Sequence, residues 1–207
     1  LINVPEDKVV DLVAIQKELM ASNLVDWTEE NEVIQVAPVV VGTFENTTKK
    51  GYTNDPDVGN QWGLDKMKTG KLYDRLVSAS GIKPKKRALI AILDTGVAGG
   101  HEDLVGNYKS TETRYDNDPI GHGTHCAGIA AAVSNNKIGI ASLSPDNRFV
   151  QVTSIKVLNA AGMGTQAKII KGITQASDMG ADVISLSLGG FSSKFRQKAY
   201  VEAVKYA

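Results

Sequence analysis

The fold of this chain is decided by the stretch ALIAILDTG, residues 88–96. An unbroken apolar run of this kind is typical of a strand in a parallel sheet whose two faces are both covered by helices. The run ends in Asp94, and Gly96 follows two residues later. A carboxylate is therefore predicted at the carboxyl end of a central strand, where open parallel sheets place their functional sites.

Strands and helices alternate on either side of this stretch. The pattern predicts strands at residues 87–94, 149–158 and 183–188, and helices at residues 71–80, 125–133, 165–179 and from 194 onward. Alternation of this kind produces parallel strands joined by right-handed helical crossovers. We therefore predict an α/β fold with a doubly wound parallel sheet.

The first 51 residues follow another pattern. Residues 1–4 are short and apolar, a helix is predicted from Pro5 to about Ser22, and strands are predicted at residues 25–27 and 33–41. Residues 42–51 are polar and lack periodicity, which indicates a linker. We predict a small α+β unit at residues 1–51 and a larger domain at residues 52–207.

Composition excludes several classes of protein. The 207 residues contain 23 Lys plus Arg and 23 Asp plus Glu, so the formal net charge is zero. This balance argues against a nucleic-acid or anionic-membrane partner. No apolar run reaches the roughly 18 residues of a membrane span, and residue 1 does not open a secretory signal peptide. The single cysteine, Cys126, excludes an internal disulfide.

The second informative stretch is GHGTHCAG, residues 121–128. His122 lies 28 residues after Asp94 and is flanked by glycines that let another backbone come close. A carboxylate that orients an imidazole makes two members of a nucleophilic triad. The alternative is that Asp94 caps the turn after its strand and that His122 is a hydrogen-bonded structural residue.

Zinc binding is a rival chemistry for the same stretch. His122, His125 and Cys126 have the i, i+3, i+4 spacing of one helix face, and all three side chains ligate zinc. We expect His122 to precede the helix, His125 to be buried and hydrogen-bonded, and Cys126 to be a buried small apolar residue.

Oxygen-rich segments at residues 54–57, 101–103 and 133–140 form a third candidate site. Hard cations such as Ca²⁺ take carboxylate, amide and backbone oxygens. The segments do not match the EF-hand template, and three ordinary polar loops are the alternative.

Three motifs together resemble one known family. Asp94-Thr95-Gly96, then GHGTH at residues 121–125, then VISLSLGG at residues 183–190 are similar, in that order, to the subtilisin-like serine proteases (subtilases, peptidase family S8). The resemblance runs from about residue 54 to the end, and residues 121–141 with Cys126 are similar to the thermitase-type members.

This resemblance implies a calcium-stabilised, secreted serine endopeptidase with a subtilisin-like sheet. It implies that Asp94 orients His122, that His122 is the general base, and that two strand edges clamp an extended polypeptide substrate. The implied edge residues are Gly162, Met163, Gly164, Leu188, Gly189 and Gly190. The implied calcium ligands are Asp55, Asp103, Asn136 and the carbonyls of Val133, Ile138 and Ile140. Residues 1–51 resemble the end of a ferredoxin-like inhibitory pro-segment, an intramolecular partner of the protease.

The chain also departs from the family. The nucleophile of the family follows a Gly-Thr-Ser motif, which this sequence does not contain. We therefore expect the sheet to be incomplete, the serine and the oxyanion asparagine to lie outside this chain, and residues 1–207 alone to be inactive. The alternatives are a pseudo-protease or autoinhibitory fragment that only binds peptide, and a zinc-binding module.

Overall fold

The computed structural model describes residues 2–5, 9, 11–36, 51–78, 82–190 and 197–207. In chain order its helices are α1 (Leu12–Ala21), α2 (Trp62–Lys66), α3 (Thr69–Val77), α4 (His122–Ala131), α5 (Gln166–Asp178) and α6 (Lys198–Tyr206). Its strands are β1 (Val33–Val36), β2 (Ala88–Asp94), β3 (Val150–Lys156), β4 (Met163–Thr165), β5 (Val183–Ser185) and β6 (Leu188–Gly189).

A parallel sheet lies at the centre of the molecule. Its strand order is β3-β2-β5, and β2 is parallel to both neighbours. Ile92 is opposite Ser154 on one side and Ser185 on the other. The central strand is buried because successive side chains point to opposite faces and helices cover both of them.

The two faces of β2 belong to different hydrophobic clusters. Ala91 and Leu93 pack with residues of α5, whereas Ile92 packs with residues of α4. This arrangement confirms the predicted α/β fold with helices on both sides of a parallel sheet. Asp94 thereby lies at the carboxyl end of a strand that is held on two faces and two edges.

A second, antiparallel sheet has the order β4-β1-β6. Strand β1 comes from the first 51 residues, and it pairs with two strands of the larger predicted domain. Ile34 of β1 is 5% exposed and joins the cluster on the α5 face of the parallel sheet.

Several predicted elements differ from those observed. Residues 25–27 are not a strand, so that prediction is wrong. Helix α4 begins at His122, three residues earlier than predicted, because Gly121 at φ 89° turns the chain directly into it. Among the described residues before residue 51, α1 buries no residue, and the ferredoxin-like unit stays a prediction.

Some predictions fall outside the described residues. They concern the strand from residue 37 to 41, the linker at residues 42–50 and the start of the last helix at residues 194–196. Within the described ranges, no helix is both long enough and apolar enough to span a bilayer.

Candidate active site

The structure brings the two predicted catalytic side chains together. Nδ1 of His122 lies 2.8 Å from Oδ1 of Asp94, and their side chains are 11% and 1% exposed. The same Oδ1 accepts the backbone N–H of Thr95 at 2.7 Å. Oδ2 of Asp94 is buried and has no hydrogen-bond partner among the described residues.

Glycines allow β2 and α4 to approach this closely. A Cβ added at Gly123 would lie 2.1 Å from the carbonyl oxygen of Gly96 and 3.0 Å from Cβ of Asp94. Gly96 itself has φ 118°, and a Cβ there would lie 2.0 Å from the carbonyl oxygen of Asn117. The first turn of α4 therefore rests on the turn that follows β2, which places His122 over Asp94.

The geometry sets the tautomer of His122. An ionised carboxylate can only accept hydrogen bonds, so Nδ1 carries the proton and donates it to Asp94. The lone pair of Nε2 is then available to accept a proton from another group. This pairing is that of an orienting acid and a general base.

Cys126 lies beside the same histidine. Its Sγ is 4.0 Å from Nδ1 of His122, and burial raises the pKa of the thiol, so the neutral form is favoured. The expectation that Cys126 packs as a small apolar residue agrees with its contact to the α4-side cluster.

The three residues considered as zinc ligands, His122, His125 and Cys126, do not all come together in the structure. Among the described residues, three potential ligand atoms approach within 4.8 Å of one another only for Asp94, His122 and Cys126. His125 is exposed, so its predicted burial is wrong. The side of α4 that packs against the sheet is formed by Cys126, Ala127, Ala130 and Ala131, and position 125 does not lie on that side.

The two predicted peptide-binding edges face each other across β1. Ile34 is opposite Gly164 of β4, and Gln35 is opposite Gly189 of β6. The backbone N–H of Val36 also donates to the carbonyl of Gly162 at 3.0 Å. Extended backbone therefore lies between the two edges that the sequence predicts as the substrate clamp.

Small residues line the path of β1. A Cβ added at Gly190 would lie 3.0 Å from Cδ1 of Ile34 and 3.1 Å from the carbonyl oxygen of Val33. The Ile34 side chain is buried in a cluster with Ile169 and Leu188. The edges thus supply main-chain pairing and an apolar pocket for one side chain in the extended segment.

The residues just before β1 contact the N-termini of two helices. Oε1 of Glu29 accepts the N–H of Lys198 at 2.7 Å, at the start of α6. Oδ1 of Asn31 accepts the N–H of Ala167 at 2.9 Å, at the start of α5. First-turn N–H groups have no partner within a helix, so these contacts satisfy donors that the helices leave open. The sequence analysis missed these contacts, because they join residues more than 130 positions apart.

The oxygen-rich segments come together on another side of the molecule. Asp55 and Asp103 are each 3% exposed. Asp55 accepts the N–H groups of Asn135 at 2.8 Å and of Asn136 at 3.0 Å, and Asp103 accepts Nδ2 of Asn136 at 2.8 Å. The loop at residues 133–140 therefore joins the two predicted carboxylates.

Two carboxylates from other segments, those of Asp55 and Asp103, lie beside this loop. Burial raises the pKa of Asp103, and the nearby negative charge of Asp55 raises it further. In the described ranges neither carboxylate is paired with a lysine or arginine. A Cβ at Gly139 would lie 2.5 Å from Oδ2 of Asp103, so the loop closes tightly over that carboxylate.

Comparison with known proteins gives consistent matches. The family model described as the Subtilase family matches residues 85–207. Thermitase from Thermoactinomyces vulgaris is 44% identical over 146 residues, which cover 67% of this chain and 49% of that protein.

Two further relatives extend the comparison. A thermophilic serine proteinase from Bacillus sp. (strain AK1) is 36% identical over 187 residues, 88% of this chain and 41% of the relative. Subtilisin DY from Bacillus licheniformis is 37% identical over 145 residues, 68% of this chain and 49% of the relative. The chain thus spans about half the length of the curated relatives it matches.

Proposed function

The chain belongs to the subtilase family, and from that premise we propose that it carries the acid and the base of a serine endopeptidase. The observation on which this proposal rests is the 2.8 Å contact between His122 Nδ1 and Asp94 Oδ1 at the carboxyl end of β2. The proposal includes a nucleophilic serine supplied by a segment other than residues 1–207, so that these residues alone would be inactive.

In the proposed reaction His122 first accepts a proton from the serine and then donates it to the leaving group. Nε2 takes the proton of the serine hydroxyl as the serine oxygen attacks the carbonyl carbon of the peptide, and Asp94 stabilises the resulting imidazolium. His122 then gives that proton to the leaving amine as the C–N bond breaks. Water hydrolyses the acyl-enzyme by the same route and releases the second product.

The proposed substrate is an extended polypeptide between β4 and β6. Support comes from β1, which shows that backbone in this position pairs with both edges. Gly164 suits this role because a side chain there would meet the carbonyl of Val157 at 2.5 Å.

We further propose that residues 1–51 are the end of an inhibitory pro-segment. Strand β1 occupies the substrate path, and Glu29 and Asn31 dock on α6 and α5. A segment held by these contacts competes with any substrate, so the precursor is a zymogen. Secretion of the protein belongs to the same proposal.

A calcium ion fits the loop at residues 133–140. Support comes from two buried carboxylates that have no lysine or arginine partner in the described ranges and that Asn136 contacts from both its backbone and its side chain, because carboxylate and amide oxygens suit a hard cation. We propose Asp55, Asp103 and Asn136 as side-chain ligands, and Val133, Ile138 and Ile140 as carbonyl ligands. The ion would neutralise the carboxylates and hold the loop against the N-terminal part of the larger domain.

The test of the proposed function is covalent labelling with a fluorophosphonate probe, which reacts with activated serines. We expect labelling of the processed full-length protein, from which the pro-segment has been removed, loss of labelling in its His122→Ala variant, and none in residues 1–207. A full-length protein that binds peptides yet takes no label would instead be a pseudo-protease. Zinc, rather than calcium, in metal analysis of the purified protein would support the zinc-binding alternative.

A further inference from the structure

We propose that Asp118 is a positioning residue that holds the Asp94–His122 hydrogen bond in register. Its carboxylate lies between the turn after β2 and the first turn of α4, and it contacts both. The catalytic consequence of this role rests on the proposed protease function, whereas the contacts themselves do not.

One carboxylate oxygen of Asp118 accepts a hydrogen bond from the turn after β2. Oγ1 of Thr95 donates to Oδ1 of Asp118 at 2.8 Å, and Thr95 is the residue that directly follows Asp94. Oγ1 of Thr95 also accepts the N–H of Gly123 at 3.1 Å. Thr95 is 1% exposed, so water does not compete for these bonds.

The other carboxylate oxygen of Asp118 accepts hydrogen bonds from the first turn of α4. Oδ2 of Asp118 accepts both the N–H and the hydroxyl of Thr124, each at 2.8 Å. The residue before the helix is Gly121, which has no side chain to cap it. Asp118, four residues before His122, therefore supplies the cap from outside the helix by accepting the N–H of Thr124, two residues after His122.

The two halves close a ring of contacts around the pair. The ring runs from Asp94 through Thr95, Asp118 and Thr124 to His122, and the hydrogen bond between His122 and Asp94 completes it. Burial disfavours the charge on Asp118, but the hydrogen bonds from Thr124 and Thr95 outweigh it and lower the pKa of the carboxyl group. Asp118 is thus a fixed anion that receives four donors from the two turns and from Ile120.

The test is the Asp118→Asn variant of the processed full-length protein, compared with the processed wild type. The side-chain NH₂ of asparagine would face a backbone N–H in either orientation, that of Thr124 or that of Ile120, so one side of the ring opens. We expect kcat for a chromogenic peptide to fall about 10- to 100-fold while KM changes less than about twofold, because a small displacement of the base affects the transition state most. We also expect the downfield NMR resonance of the His122 Nδ1 proton to weaken or shift.

Asp116→Asn is the matched control. Asp116 lies two residues away and accepts the hydroxyls of Tyr108 at 2.7 Å and Ser110 at 2.6 Å, but it does not bond to either turn. We expect its kcat and the His122 proton resonance to match those of the wild type. Thr95→Val should reproduce part of the effect, and the double variant with Asp118→Asn should cost less than the sum of the two single changes.

The following outcomes would contradict the role of Asp118 or the proposed function. If the resonance is unchanged in Asp118→Asn, Asp118 does not position the pair, even where the melting temperature falls. If kcat falls equally in Asp116→Asn, the effect is a general loop disturbance and the proposal fails. If the wild-type protein hydrolyses no peptide, the proposed function fails, and the proton resonance still decides the role of Asp118.

Discussion

At the scale of single residues, the site depends on how closely two backbone turns approach. The 2.8 Å contact between Asp94 and His122 forms because Gly123 has no side chain to separate α4 from Gly96. The hydrogen bond in turn sets which nitrogen of His122 is free. Residue identity at these positions therefore controls both the geometry and the proton chemistry.

Asp94→Asn tests the role of the carboxylate. The amide preserves the shape of the side chain but can present N–H to Nδ1, which favours the wrong imidazole tautomer. We expect kcat of the full-length protein to fall by about 10⁴-fold with KM little changed. Steady-state hydrolysis of a chromogenic peptide measures this, and a loss of less than about tenfold would contradict the assigned role.

Gly123→Ala tests the close approach. The added methyl group would meet the carbonyl oxygen of Gly96 at 2.1 Å, so backbone must move. We expect the free energy of unfolding to fall by about 1–3 kcal/mol, measured by urea denaturation. Gly63→Ala is the control, because a Cβ there meets nothing within 4 Å, and its position inside α2 should make it neutral or slightly stabilising.

Asp94 and His122 could be predicted from the sequence, because an acid that ends an apolar strand and a histidine between glycines are local patterns. Asp118 could not. Its importance comes from contacts with Thr95 and Thr124, which lie 23 residues before it and 6 residues after it. A carboxylate in a loop carries no local signal of which turns it will join.

At the scale of elements, the feature with most consequence is the insertion of β1 between β4 and β6. Short strands gain little from pairing alone, so the burial of Ile34 against α5 matters as much as the ladder. The sequence predicted a strand near residues 33–41, but not its partners, because pairing between distant segments leaves no mark in local periodicity.

Ile34 should be the main anchor of the segment. A synthetic peptide of residues 25–36 is expected to inhibit the processed full-length protein, and Ile34→Ala should weaken inhibition by about 2 kcal/mol, or roughly 30-fold. Val33→Ala is the matched control, since Val33 is 67% exposed and Ile34 is 5% exposed. Equal inhibition constants for the two variants would show that the pocket around Ile34 does not bind the segment.

The loop at residues 133–140 predicts a pH-dependent effect of a chelator. Because the folded-state pKa of Asp103 is raised, deprotonation without a cation costs stability as pH rises through that pKa. A calcium ion binds the deprotonated form, so removing it should lower the melting temperature more at about pH 8 than at about pH 4. Calorimetry with and without chelator measures this.

Two variants distinguish the loss of calcium from the loop from general effects of the chelator. Asp103→Asn should abolish most of the chelator effect, whereas Asp57→Asn, at an exposed position, should retain it. A chelator shift that is the same in both variants would place the ion elsewhere.

At the scale of the whole molecule, the described part of the first 36 residues joins the larger domain through the β1 ladder, through buried Ile34 and through polar contacts at two helix N-termini. Glu29 reaches α6, and Asn31 reaches α5, while α1 buries none of its own residues. The alternation of strands and helices allowed the sheet to be predicted from the sequence. The docking of the N-terminal segment could not be predicted from the sequence, because it depends on contacts between residues more than 130 positions apart.

Glu29→Gln should loosen this docking. The carboxylate lies at the N-terminus of α6, where a negative charge interacts favourably with the helix dipole as well as with the N–H groups. We expect a loss of about 0.5–2 kcal/mol in the free energy of unfolding and faster hydrogen exchange at the start of α6. Glu18→Gln, on an exposed position of α1, is the control and should leave exchange at α6 unchanged.

The antiparallel pairing of β1 with both neighbours gives the cleft a polarity. Val36 and Ile120 both lie against Gly162, within 3.3 Å and 3.7 Å of a Cβ built there, and Ile120 precedes His122 by two residues. A peptide that follows the path of β1 therefore runs toward the imidazole of His122 in the amino-to-carboxyl direction. A peptide laid in the opposite direction would run parallel to β4 and β6, so its donors and acceptors could not match theirs in the same register.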